Sequence, residues 1–167
     1  MTGGDLDFCL EMFRITGWGN TADDVLRMIS YEPGGCFVAS MDGGDVGMVG
    51  SIGYGEVGYL GNLVVRPEHR GRGIGTTLMK RAMEHLLETG VESIRLDAVP
   101  KGIPLYERLG FREESPSFRF TGPATVKGST GCQRMVERDL PEVSELDLRL
   151  FGAPRGRVLR RVHADFH

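Results

Sequence analysis

The turn Arg70-Gly71-Arg72-Gly73-Ile74-Gly75 constrains the fold more than any other stretch of this 167-residue sequence. It follows an uninterrupted apolar run, Tyr59 to Val65, which reads as a strand. It precedes Leu78, Met79, Ala82, Met83, Leu86 and Leu87, whose three- and four-residue spacing predicts an amphipathic helix stopped by Gly90. A strand, a glycine-rich turn and a helix N-terminus in series form an anion cradle. Glycine lets the backbone approach phosphate oxygens, successive N–H groups point into the turn, and the helix adds a favourable field. Arg70 and Arg72 add charge. Glycines also serve tight turns that hold nothing, so the turn alone leaves both readings open. The Walker pattern needs a Gly-Lys-Ser/Thr ending, absent here. The dinucleotide fingerprint needs G-x-G-x-x-G, whereas Gly71, Gly73 and Gly75 are spaced G-x-G-x-G.

The elements ahead of the turn exclude a doubly wound sheet. Cys36 to Ser40 and Val46 to Tyr54 read as strands joined by the hairpin turn Asp42-Gly43-Gly44-Asp45, so the early sheet is antiparallel. Before them, Leu6, Cys9, Leu10 and Phe13 share a helix face with Asp5 as its cap, and Thr21 to Asp24 form a capping box opening a second helix through about Ile29. Beyond the turn, Ile94 to Ala98 is a predicted strand, Ile103 to Leu109 a short helix and Phe118 to Thr121 a last strand. Residues 122–131, rich in glycine, proline and serine, read as a linker. The segment Met135 to Leu140, followed by Val143, Leu146 and Leu150 at helical spacing, echoes Met1 to Leu6 and its helix. The expected organisation is a domain over 1–121, a linker over 122–131 and the start of a truncated second half over 132–167. Coincidence remains the alternative for the echo.

Charge and composition remove several classes of function. The chain carries 20 basic and 23 acidic side chains, a net charge of −3, which argues against nucleic acid as a partner. Arg155, Arg157, Arg160 and Arg161 cluster near the end and read as a solvated helix face. No run approaches the roughly 18 consecutive apolar residues of a membrane span, and the first residues lack a signal peptide's basic and apolar regions. A cytoplasmic protein without a membrane partner is expected. Cys9, Cys36 and Cys132 fit no metal-ligand spacing and read as small buried hydrophobes, so no metal site is expected.

The stretch Asn62-Leu63-Val64-Val65-Arg66-Pro67-Glu68-His69-Arg70-Gly71-Arg72-Gly73-Ile74-Gly75 resembles the acetyl-CoA-binding motif of the GCN5-related N-acetyltransferases (GNAT), in which Q/R-x-x-G-x-G/A occupies the turn. A second block, Pro104-Leu105-Tyr106-Glu107-Arg108-Leu109-Gly110-Phe111, is similar to that family's A-x-x-L-Y-x-x-x-G-F region. The resemblance covers residues 5–121, and the tail resembles the start of a second acetyltransferase-like half, as in tandem members of the YitH type. It implies a mixed α/β fold: a mostly antiparallel central sheet flanked by helices, with the parallel strands Tyr59–Val65 and Ile94–Ala98 splayed to admit the cofactor. It further implies that the backbone of Leu63, Val64 and Val65 pairs with the pantetheine arm as an added strand. Arg70, Gly71, Arg72, Gly73, Ile74, Gly75 and Thr76 would hold the pyrophosphate, and Tyr106 would return a proton to the departing coenzyme A thiolate.

The reaction implied is acetyl transfer from acetyl-CoA to a primary amine by direct attack in a ternary complex. An ammonium with a pKa near ~10 must first lose a proton. Glu56, just before the cofactor strand, and Asp97, at the end of the neighbouring one, are the candidate bases. His69 falls in the phosphate turn and is disfavoured, and Trp18 either lines the acceptor site or plugs a core edge. No cysteine lies in either motif, so an acyl-enzyme is disfavoured. The acceptor, a small molecule or a peptide, is unnamed by the sequence. A coenzyme-A-binding module without catalysis is the alternative, and the apolar C-terminal residues are compatible with a homodimer. Two departures stand out. The family's first strand is missing ahead of Asp5, and Cys132 to Val136 is the expected replacement at that sheet edge, in its own molecule or in a neighbour by exchange. Asp97-Ala98-Val99-Pro100 also lacks the asparagine that many relatives place after this strand.

Overall fold

The computed structural model describes residues 1–118, 120–123, 131 and 133–166. The chain divides into two compact units, Met1–Leu105 and Tyr106–His167. The first opens with two helices, α1 (Leu6–Thr16) and α2 (Ala22–Tyr31), followed by three strands, β1 (Phe37–Met41), β2 (Gly44–Tyr54) and β3 (Val57–Val65). Helix α3 (Ile74–Glu88), strand β4 (Ser93–Leu96) and the short helix α4 (Ile103–Arg108) follow. The sheet order is β1-β2-β3-β4, with the first two pairings antiparallel and β3/β4 parallel, the mixed arrangement the sequence implies.

Helices α1 and α2 cover one face of the sheet. Cys9, Met12 and Phe13 of α1, Val25 of α2, Met48 of β2 and Val64 of β3 form a buried apolar cluster there. Trp18 packs on its rim, with its ring centroid 6.1 Å from that of Phe13. Helix α3 covers the other face, and glycines set how closely it lies. A Cβ on Gly58 would stand 2.8 Å from Leu86 Cδ1 and 2.9 Å from Val91 Cγ1, both of which belong to the buried core. Ser51 Oγ, inside this unit, donates to the Gly35 carbonyl at 2.6 Å, and Gly53 N–H donates to Glu32 Oε2 at 2.9 Å. His85 Nε2 lies 3.3 Å from the other Glu32 oxygen.

Several local expectations are borne out and several are corrected. The Thr21–Asp24 capping box forms, with Thr21 N–H donating to Asp24 Oδ2 at 2.7 Å and Asp24 N–H to Thr21 Oγ1 at 3.3 Å. Gly90 ends α3 in the left-handed region, at φ 89°. Asp5 does not cap α1 through its side chain. It closes a 3-10 turn over Gly3–Asp5 by accepting Thr2 N–H at 2.6 Å, because the helical path begins one turn earlier than the apolar spacing suggests. Strand β4 ends at Leu96, so Asp97 and Ala98 lie past it. No strand forms at the described residues of 118–121. Residues 133–136 are also irregular, so the expected replacement of a first sheet strand by Cys132 to Val136 does not occur within the chain at those residues. Cys132 itself lies outside the described residues, as does most of the expected linker, at 124–130.

The second unit contains α5 (Leu140–Phe151) and α6 (Gly156–Asp165). A 3-10 turn precedes α5, and Val136 N–H donates to Asp139 Oδ2 at 2.9 Å, the same backward-reaching carboxylate as at Asp5. Gly152, at φ 82°, ends α5 as Gly17, at φ 72°, ends α1. The arginine cluster is not simply a solvated face. Arg155 makes two charge-assisted bonds to Asp147 and stacks on the Phe151 ring, and Arg161 pairs with Asp165.

Gly58→Ala is expected to destabilise the chain by about 1–3 kcal/mol, the usual cost of overfilling a packed interface. The measurement is the midpoint of urea unfolding, and an unchanged midpoint would mean that Leu86 and Val91 yield freely.

Candidate functional site

The site starts from a break in pairing. Strands β3 and β4 are in register from Val57↔Ser93 to Leu60↔Leu96, and there the ladder stops while β3 runs on to Val65. The end of β3 therefore has no β4 partner along that edge. On its other side β3 carries a bulge: Gly50 pairs with Gly61 and Met48 with Val64, so Asn62 and Leu63 oppose Val49 alone. Asn62 takes the strain at φ 55°, a region asparagine tolerates better than most residues, and its Nδ2 donates to Met28 Sδ at 3.0 Å. The extra residue reverses the side-chain alternation. Gly58 faces α3, and Val65, an odd number of residues further on, also lies on that side, beside Gly75 of α3, while Val64 joins the α1/α2 cluster.

This edge feeds straight into the glycine turn. Pro67–His69 form a 3-10 turn, Gly71 and Gly73 follow at φ 76° and 83°, and α3 begins at Ile74. A Cβ on Gly71 or Gly73 would meet nothing within 4 Å. Their glycines answer to backbone conformation, and the space above them is open. Gly73 offers no side chain to cap α3, whose first N–H groups therefore face the turn without a side-chain partner from that residue. Gly75 packs beneath, with Val65 Cγ2 and Leu105 Cδ2 3.8 and 3.7 Å from its Cβ position. Arg70 Nε donates to the Val65 carbonyl at 2.9 Å, closing the turn over the strand end and occupying one of the edge acceptors expected to be free. His69 is half-buried in the turn.

Sequence reasoning missed the clamp that holds this turn. Arg66, the first residue past β3, donates through both terminal nitrogens to Glu11 of α1 at 2.6 and 2.8 Å, and through Nε to the Asp45 carbonyl at 2.8 Å. Its guanidinium also lies 5.5 Å from the Phe8 ring centroid. Bonding to Arg66 holds the Glu11 carboxyl below the ordinary carboxylate range. No local motif announces a pair 55 positions apart.

The two candidate bases fall in different places. Glu56 is exposed in the β2–β3 hairpin, seven residues before Leu63, or about 23 Å of strand rise. Asp97 is the first residue past the last β3/β4 pair, and its Oδ2 accepts the Tyr59 hydroxyl. Burial, and then that bond, push the Tyr59 pKa well up. Tyr106 opens the second unit, with its ring edge-on to Phe111 at 6.2 Å, and burial raises its pKa as well. Among the described residues, no group of three or more His, Cys, Asp or Glu is placed to hold a metal ion, and no helix is long and apolar enough to cross a membrane.

A mixed sheet with one parted parallel pair, whose longer strand runs into a glycine turn at a helix N-terminus, defines an acyl-CoA-transferase type of fold. Residues 8–111 match the acetyltransferase (GNAT) family, and the chain belongs to it. The chain is 23% identical over 157 residues to the uncharacterized N-acetyltransferase YitH of Bacillus subtilis, covering 92% of this chain and 55% of that protein. It is 29% identical over 110 residues to a glucosamine 6-phosphate N-acetyltransferase of Trypanosoma brucei brucei, covering 66% and 74% of the two chains. A crystal structure of an acetyltransferase candidate from Pyrococcus horikoshii superposes over 99% of this chain and 60% of its own, with TM-score 0.77 and 24% identity, a likeness of fold. The chain thus spans little more than half the length of the Bacillus and Pyrococcus relatives.

Glu11→Gln is expected to lower stability at neutral pH and to match the parent in acid. A depressed carboxyl contributes above its unfolded value, and that contribution disappears as pH falls through the folded one. Urea midpoints of both proteins at pH 7 and at steps downward into acid check this, and a gap that does not narrow as the pH falls would mean that the Arg66 pair is not its source.

Proposed function

We propose that this chain transfers an acetyl group from acetyl-CoA to the amine of a small molecule or peptide, by direct attack within a ternary complex. One observation carries the reading: the unpaired end of β3 leads without interruption into the open glycine turn at the start of α3. An extended pantetheine arm needs a strand edge with unpaired N–H and C=O groups, and a pyrophosphate needs converging N–H donors with room above them. Leu63, Val64 and Val65 would offer the first, and Arg70, Gly71, Arg72, Gly73, Ile74, Gly75 and Thr76 the second. For the Val65 carbonyl to pair, Arg70 must release it and swing toward the phosphates. Bound there, acetyl-CoA supplies an activated thioester.

The chain's own groups then manage protons. The acceptor nitrogen must shed one before it attacks, and a carboxylate serves as its outlet. Asp97 and Glu56 both remain open for that role, but the place of Asp97 beside the parted strands favours it. Tyr106, a phenol protonated at neutral pH whose pKa burial pushes further up, is suited to donate to the leaving thiolate. The amino-sugar enzyme of Trypanosoma supports an aliphatic amine as the kind of acceptor.

Calorimetric titration is expected to show tight acetyl-CoA binding, with pantetheine at least tenfold weaker because it lacks the pyrophosphate. Gly73→Val, placed at φ 83° where a branched residue is strained, should weaken acetyl-CoA by tenfold or more. Equal affinity for the two ligands would sink the assignment of the turn, and tight binding without acetylation of any amine would favour a coenzyme-A-binding module. Tyr106→Phe is expected to retain binding and to lose about a hundredfold in kcat, the lower end of general acid catalysis. Steady-state thiol release measures it, and an unchanged kcat removes Tyr106 from the reaction.

A further inference from the structure

The kink in β3 is held by a side chain from another element. Among the described residues other than glycine, only Asp42 and Asn62 have a positive φ, and Asp42 lies in the β1–β2 hairpin turn, where that conformation is ordinary. Asn62 has no turn around it. An asparagine in a left-handed conformation commonly bonds to its own neighbours, yet here Nδ2 donates at 3.0 Å to Met28 Sδ of α2, 34 positions away. Met28 is seated for this contact. It lies on α2 between Val25, a member of the buried cluster against the sheet, and Ile29, which packs on that cluster. A Cβ on Gly50 would stand 2.5 Å from Met28 Sδ and 3.3 Å from its Cγ, so the thioether fills the space a side chain on β2 would take. Gly50 is the partner of Gly61, the residue before Asn62. The Met28 carbonyl, in turn, accepts the Cys36 thiol at 3.8 Å.

The position of Asn62 along β3 gives the contact a consequence. The β4 ladder ends at Leu60, and Leu63 to Val65 begin one residue after the kink. Asn62 therefore stands between the part of β3 held on both edges and the part held by β2 alone. A left-handed residue with a free side chain leaves the tilt of the next peptides loosely set. A fixed partner for the amide removes that freedom before any ligand arrives, so binding costs less ordering. A thioether is a weak acceptor, so the gain is small in size and local in reach. We propose that Met28, acting through Asn62, orients the free edge at Leu63 to Val65 for an extended, amide-bearing chain, the pantetheine arm. Both are positioning residues for that arm and not for the phosphates. This rests on the acetyl-transfer reading above and adds to it a side chain of α2 that the reading does not use.

Four variants test it. Met28→Leu keeps the volume and removes the acceptor, Asn62→Gly keeps the positive φ and removes the donor, and the double variant removes both. Met28→Gln brings an amide oxygen within reach of Asn62. Calorimetry is expected to show the Kd for acetyl-CoA raised at least about threefold by each of the first two, the worth of one weak hydrogen bond. The double variant should lie within about twofold of the weaker single one, because the same bond is lost only once. Met28→Gln should bind as the parent does. In turnover the KM for acetyl-CoA should rise in step with the Kd while kcat stays within about twofold of the parent. Pantetheine should weaken in parallel, whereas the nucleotide half of coenzyme A, which has the pyrophosphate and no arm, should bind every variant equally. Met28 and Asn62 lie on different elements, so if one variant fails to fold, the other still decides. The proposal is overturned if a folded single variant binds acetyl-CoA as the parent does, or if the two losses multiply in the double variant. It is also overturned if Met28→Gln behaves as Met28→Leu, or if the nucleotide half weakens as much as the whole cofactor. A parent protein that fails to bind acetyl-CoA overturns the acetyl-transfer reading instead, so the two failures are distinguishable.

Discussion

The end of hydrogen bonding between Leu60 and Leu96 is the constraint around which the first unit is arranged. A strand that loses one partner exposes donors and acceptors that water or another chain must satisfy. A fold tolerates that exposure when the strand is anchored by other means. Here β3 keeps β2 along its full length except at the bulge, Val64 is sunk in the α1/α2 cluster, and Arg66 is bolted to Glu11 immediately beyond. The open edge is held in place from every other side of the strand.

The same arrangement explains the two faces of the sheet. Helix α3 sits close, over glycines that leave no room for a Cβ at Gly58 and little at Gly47, where the Val64 carbonyl and Leu78 come within 3.1 Å. That proximity fixes where the α3 N-terminus begins, and with it the height of the glycine turn above the strand end. On the opposite face α1 meets the sheet through larger side chains, Met12 and Phe13 against Met48 of β2, and the polar pair of Tyr59 and Asp97 has space to form. One face sets the position of the glycine turn, and the other carries the hydrogen-bonded pair of Tyr59 and Asp97.

Much of this was legible in the sequence, and the limits follow from range. The turn from Arg70 to Gly75, the amphipathic α3 and the hairpin ahead of them depend on neighbours in the chain, so spacing and glycine chemistry announce them. The antiparallel start of the sheet and its parallel last pair followed from the same reasoning together with the family resemblance. What stayed hidden depends on partners far away along the chain. Arg66 finds Glu11, Tyr59 finds Asp97, and Glu32 finds Gly53 and His85, none with a local signature. The strand expected at 118–121 failed for a related reason: a short apolar run becomes a strand only where an edge receives it. The bulge lay between these cases. Gly61-Asn62 is a pair suited to a left-handed kink, a signal present in the sequence and overlooked inside an apolar run.

That bulge makes the count of residues matter as much as their identity. Between Leu60 and Val65 the alternation of faces is reset once, at Asn62. Remove one residue there and Val64 would turn toward α3 while its neighbour turned toward α1, emptying a filled core position on one side and crowding another on the other. Substitutions along this stretch alter single contacts, whereas a one-residue deletion or insertion inverts the whole strand end that leads into the turn. In the descent of such chains the segment should therefore vary in spelling far more readily than in length, with loops elsewhere absorbing the gains and losses.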